Sequence, residues 1–154
     1  MESRGWSGVK AELTELAKDW GWLIDLDHQT LLSVSPFGDL LLRDDTGEIS
    51  LLDINLGVLE YASTGGTDPA SLFPIAFDDQ IAGRYRAAGL HLQPGKCYGL
   101  KIQEVTGGSF DVDNIYIATI AEYVSFMGDF HCQIKDVPDG GKIQIKIINR
   151  GLPS

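Results

Sequence analysis

Residues 37–63 read FGDLLLRDDTGEISLLDINLGVLEYAS, and this stretch decides the fold. Its short apolar runs are separated by RDDTGE and by Asn55 and Gly57, residues that favour chain reversal. Gly47 stands where a hairpin turn needs a positive φ. Upstream, TLLSVSP at 30–36 is set off from DLLLRD by Pro36-Phe37-Gly38, which adds a strand on that side. The pattern predicts an antiparallel meander of three or four strands.

The flanking sequence is helical on one side and mixed on the other. Ser7 is a candidate N-cap, and Val9, Leu13, Leu16 and Trp20 recur at spacings of three and four. This predicts an amphipathic helix ended by Gly21, with Trp20 and Trp22 packed into the core. Residues 63–74, STGGTDPASLFP, are a loop by composition, and no lysine follows the glycines as a phosphate-binding loop requires. A second helix is expected near Phe77, with Asp78 and Asp79 at its positive end. Its apolar stripe is Phe77, Ile81, Tyr85 and Ala88, and Gly89 stops it.

CYGLKI (97–102) and IYIA (115–118) read as strands, and Gly107-Gly108 fits a tight turn between them. Thr119 and Glu122 have the spacing of a capping box for a third helix. Ile120, Val124, Met127, His131 and Ile134 share one face of it, and Gly128 costs about 1 kcal/mol against alanine. KIQIKII (142–148) alternates cleanly and predicts a last strand. The expectation is one α+β domain over residues 1–154, with an antiparallel meander, two to three helices and a C-terminal strand. Trp20, Leu42, Ile81, Tyr98, Val124 and Ile145 are the expected core.

Composition narrows the functional classes. A chain of 154 residues with 44% hydrophobic content buries a core without staples. Its apolar runs fall far short of the roughly 20 residues of a membrane helix. MESRGWSGVK, at 1–10, has no apolar signal core, so the expected location is the cytoplasm, with Cys97 and Cys132 reduced. The net charge of −10 is unevenly spread: residues 19–83 hold twelve acids against one base, Arg43, whereas residues 84–154 are nearly balanced. An acidic half of this kind either solubilises the chain or meets a basic partner. Direct nucleic-acid binding is disfavoured, since phosphate contacts need clustered Lys and Arg.

The motifs argue against catalysis. His131 and Cys132 are adjacent and so point apart on a helix, while His28, His91 and Cys97 lie in separate segments without metal-ligand spacing. No metal or other cofactor is implied. Cys97 beside Tyr98 reads as a small core hydrophobe, and no GxSxG elbow occurs. The pairs Asp44-Asp45 and Asp78-Asp79 occupy a turn and a first helical turn, which are solvated positions.

The segments PGKCYGLKI, GGSFDVDNIYIATIAEYVSFMGD and QIKDVPDGGKIQIKI, with residues 37–63, together resemble the C-terminal domain of type VI secretion DNase-immunity proteins. The resemblance spans about residues 20–149. It implies a cytoplasmic, non-enzymatic antitoxin whose partner is a cognate toxin, most simply a nuclease effector. The acidic half gives this independent physical sense, because an acidic partner plugs a basic phosphate cleft and associates quickly. Candidate contacts are acids in turns or at element ends: Asp25, Asp27, Asp44, Asp45, Glu48, Asp68, Asp78 and Asp79. Leu72 and Phe73 are the nearby apolar anchors. The alternatives are a general protein-interaction or small-ligand-binding module, and a hydrolase built on Cys97 or a histidine.

Overall fold

Strands β1 (Gln29–Val34), β2 (Leu40–Asp44), β3 (Ile49–Asp53) and β4 (Val58–Tyr61) pair antiparallel in chain order, so the predicted meander is present with four strands. The computed structural model describes residues 10–62, 69–77 and 79–136. The run Leu40-Leu41-Leu42 is continuous because both faces of the sheet are covered. Leu40, Leu42 and Leu52 join the main core with helices α1 (Lys10–Leu16) and α4 (Ile120–Ile134). Leu41 and Leu51 point the other way and pack with Phe73 and Ala76.

The N-terminal element differs from the expected single helix. α1 ends at Leu16, and a tighter 3-10 turn, Lys18–Trp20, follows. This turn aims both indoles at α4. Trp20 Nε1 donates to the Val124 carbonyl at 2.8 Å, and Trp22 Nε1 donates to the Gly128 carbonyl at 3.2 Å. Gly128 is therefore a packing requirement, not a mild defect. A Cβ there would lie 2.8 Å from the Asp19 carbonyl oxygen, and only glycine lets the turn seat on the helix. Ser7 and Val9 lie outside the described residues.

A short helical turn, α2 (Pro69–Leu72), interrupts the expected loop, and α3 spans Asp79–Ala87. The buried face of α3 is Ala82 and Tyr85, with Ile81 half-buried. Phe77 precedes the helix and Ala88 lies exposed in its closing turn, so the expected stripe shifts inward at both ends. Strands β5 (Lys96–Leu100) and β6 (Ile115–Thr119) form a separate two-stranded sheet. α4 starts directly after β6, and the expected capping box does not close. Thr119 pairs with Lys96 in the ladder, and its hydroxyl accepts from Lys96 Nζ at 3.0 Å instead.

Tyr123 joins the two sheets. Its hydroxyl donates to Asn55 Oδ1 at 2.6 Å and accepts from the Leu100 N–H at 3.0 Å, both in the interior. Tyr123→Phe is expected to cost about 1–3 kcal/mol, because two buried polar groups lose their partner while the ring stays in place. Urea unfolding monitored by circular dichroism reads the loss, and an unchanged midpoint refutes it. Of the expected core, Trp20, Leu42, Tyr98 and Val124 are buried and Ile81 is half-buried. Ile145 and the strand expected at 142–148 lie outside the described residues.

Candidate functional site

A cleft of about 450 Å3 opens on the face of the meander away from α1 and α4. It lies where two smaller apolar clusters meet without closing over each other. One cluster is Leu41, Leu51, Phe73 and Ala76; the other contains Phe37, Tyr85, Tyr98 and Leu100. Leu51, Phe37 and Phe110 line the walls, with Leu72 to Ala76 and Ile81 opposite. Leu56 and Ile75 stand at the mouth, and Ile75 is 81% exposed, far more than an isolated packed side chain would be.

Four carboxylates, Asp39, Asp53, Glu60 and Glu104, line this apolar space, and none of its described lining residues carries positive charge. Register explains the first two. Leu40 pairs with Leu52, so continuing the ladder by one residue sets Asp39 against Asp53, an arrangement that like charges normally oppose. Asp39 is held on the floor by a tight loop. Its Oδ2 accepts from the Ser35 hydroxyl at 3.0 Å, and its Oδ1 accepts from the Ile54 N–H at 3.3 Å. Burial, with the Asp53 charge second, pushes its carboxyl up to about 8 despite those bonds. Asp53 Oδ1 accepts from the Asn55 and Leu56 N–H groups, at 3.1 and 3.0 Å.

Glu104 and Phe110 reach the cleft from the connection between β5 and β6. Asn114 organises that connection: its Nδ2 donates to the Ile102 and Ser109 carbonyls, and its Oδ1 accepts from the Ile102 N–H. Gly107 adopts φ 101°, and a Cβ on Gly108 would collide with the Ile102 carbonyl, so the glycine pair is required by a close backbone approach. Burial, then Asp53, raises the Glu104 carboxyl above its ordinary value.

The candidate contacts from the sequence fall into separate places. Leu72 and Phe73 line the cleft. Asp25, Asp44 and Asp45 gather with Glu48 at the far end of the β2–β3 hairpin, about 17 Å away at the rise of five strand residues. There His28 Nδ1 lies 2.8 Å from Asp45 Oδ2, and its Nε2 lies 3.7 Å from Asp25 Oδ2. Asp25 Oδ1 also accepts from the Asp27 N–H. Asp44 is a turn-former: its Oδ1 accepts from the Thr46 hydroxyl and from the Thr46 and Glu48 N–H groups, which hold its carboxyl below the usual range. Asp79 pairs with Arg86 at 2.9 Å on α3. Asp68 and Asp78 lie outside the described residues. Sequence reasoning missed Asp39, Asp53, Glu60 and Glu104, although counting the register back from Gly47 would have set the first two opposite each other.

Cys97 is not poised as a nucleophile. Cys97 is fully buried, and burial pushes its thiol up, away from the reactive thiolate. Cys132 is exposed on α4. Among the described residues, no group of three His, Cys, Asp or Glu side chains is arranged to hold a metal ion. None of the described helices is long and apolar enough to cross a membrane.

The class these features define is a single α+β domain whose distinctive surface is an acidic, apolar-walled cleft. Residues 72–131 match the family described as T6SS immunity protein Tdi1, C-terminal. That match supports an immunity role, and it takes in the wall from Leu72 to Ala76, Ile81, Glu104 and Phe110. The fold is similar to the crystal structure of Atu4351 from Agrobacterium tumefaciens, with a TM-score of 0.58 and 17% identity over 81% of this chain and 67% of that one. No curated protein matches.

Proposed function

We propose that this chain is a cytoplasmic immunity protein that binds a cognate toxin, a nuclease effector of type VI secretion, and occludes its active site. The observation that carries this reading is the match of residues 72–131 to an immunity family. The charge supports it: residues 19–83 carry twelve acids against one base, which suits a partner with a basic phosphate-binding surface. On this reading the chain performs no catalysis and does not itself contact nucleic acid or membrane. The volume of the cleft also suits a small-molecule ligand, so a ligand-binding module is the second reading.

The test is capture of the product of the neighbouring toxin gene, in a catalytically inactive form, followed by association rates at low and high salt. Steered association slows as salt rises, and Asp45→Lys with Glu48→Lys slows it further at low salt. Asp44 is spared because it holds the turn. Asp129→Lys with Asp136→Lys, in the charge-balanced half, is expected to leave the rate near wild type. Absence of any complex refutes the reading, and salt-independent, equal rates for all three proteins refute the electrostatic part.

A further inference from the structure

We infer that the cleft is a socket for an arginine side chain of the partner protein, with its guanidinium among Asp53, Glu60 and Glu104 and its stem against the apolar walls. The identity of the partner rests on the toxin-binding reading; the chemistry of the socket does not. Two features of the cleft point to this occupant. The first is uncompensated charge. Glu60 and Glu104 carboxylates have no hydrogen-bond or ion-pair partner among the described residues, and neither does Asp53 Oδ2. A cation entering the cleft would be attracted by all three carboxylates at once.

The second is the shape and chemistry of the walls. Phe37, Phe73 and Phe110 line the cleft together with the carboxylates. A planar guanidinium stacks on such rings and offers several donors to carboxylates at once, whereas an ammonium is compact and strongly hydrated. A divalent metal is a poorer fit, since it needs several oxygen ligands at short range and no three described His, Cys, Asp or Glu side chains are close enough to hold one. The exposed Ile75 and Leu56 at the mouth would cover apolar residues flanking the arginine, as the water-excluding rim of an anchor pocket does.

Asp39 adds a signature. The charge of Asp53, its neighbour in the ladder, and more weakly that of Glu60 act on it, as it acts on Cys97 of β5 and Tyr123 of α4. With its carboxyl raised to about 8, it is mostly protonated at neutral pH. An arriving guanidinium favours the carboxylate, so binding releases a proton and tightens as pH rises.

The experiment is a methyl NMR titration of the whole protein with N-acetyl-arginine N-methylamide, alongside the matched lysine and citrulline compounds. The arginine compound is expected to give saturable shifts at Leu51, Leu56, Ile75 and Ile81. The lysine compound should bind about fivefold more weakly, and neutral citrulline should give no saturable shift. Asp53→Asn with Glu60→Gln, which keeps an oxygen acceptor for the turn at position 53, should weaken the arginine compound about tenfold. Affinity should rise between pH 7 and pH 9. Equal shifts from citrulline, shifts scattered away from the cleft, or wild-type affinity in the double variant would each overturn the socket.

The inactive toxin separates the two claims. If it binds wild type and double variant equally, the arginine anchor is overturned while the immunity reading stands. If the arginine compound binds as expected but no toxin complex forms, the socket stands and the immunity reading falls.

Discussion

Trp20→Ala is expected to leave the chain largely unfolded at room temperature. Trp20 is fully buried, and its indole lies 5.7 Å from the rings of both Trp22 and His131. Emptying such a site costs about 3–5 kcal/mol, because the lost burial is compounded by a cavity that the surroundings only partly fill. The Val124 carbonyl also loses a donor. Domains of this size hold only about 5–15 kcal/mol in total, so the loss is a large part of the margin. Trp20→Phe keeps much of the ring volume, loses the N–H, and is expected to fold with a lowered midpoint. Circular dichroism under increasing urea compares the three proteins. An Ala variant within about 1 kcal/mol of wild type would show that the seating of the 18–22 turn on α4 does not hold the fold together.

The second large effect is a pH dependence of stability centred on Asp39. Its carboxyl lies near 3.8 in an unfolded chain and is raised to about 8 in the fold, chiefly by burial. The folded protein therefore holds a proton that the unfolded chain releases. The stability so contributed is fully present below pH 3.8 and is lost as pH rises through 8. At about 1.4 kcal/mol per pH unit of separation, the interval amounts to a few kcal/mol. Asp39→Asn keeps the shape and cannot ionise, so its stability should lack this slope. The variant is expected to equal or exceed wild type at pH 9 and to lose that advantage by pH 5. Urea midpoints at pH 5, 7 and 9 decide it, and parallel pH profiles for the two proteins would exclude Asp39 as the titrating group.

Such a group persists in a fold when it serves something else. A buried carboxyl facing a second acid weakens the domain, whereas a cation brought by a partner converts the same arrangement into an attraction. In that sense the cost in stability and the proposed binding site are one feature.

The meander was legible because turn chemistry is local: Gly47, Asn55 and Gly57 sit between apolar runs, and their neighbours alone fix where the chain reverses. The third helix was legible from its spacing, and the burial of Val124, Met127 and His131 follows it. Leu72 and Phe73 line the cleft, whereas the turn acids that stand out in the sequence, such as Asp44 and Asp45, do not. Asp44 shows the limit of that reasoning, since a turn aspartate is as readily occupied by its own backbone as available to a partner.

What the sequence determined by itself was what depends on near neighbours: the α+β class, the hairpins, the apolar faces and the acidic bias of residues 19–83. Only the tertiary structure decided what depends on distant segments meeting. It turned Trp20 and Trp22 onto α4 across about a hundred residues and made Gly128 indispensable. It set β5 and β6 apart from the meander and tied them back through Tyr123. It brought Asp39, Asp53, Glu60 and Glu104 from four separate positions into one cleft. The physical reason is range: turn and helix preferences act within a few residues, whereas burial and charge repulsion depend on which surfaces the whole fold brings together.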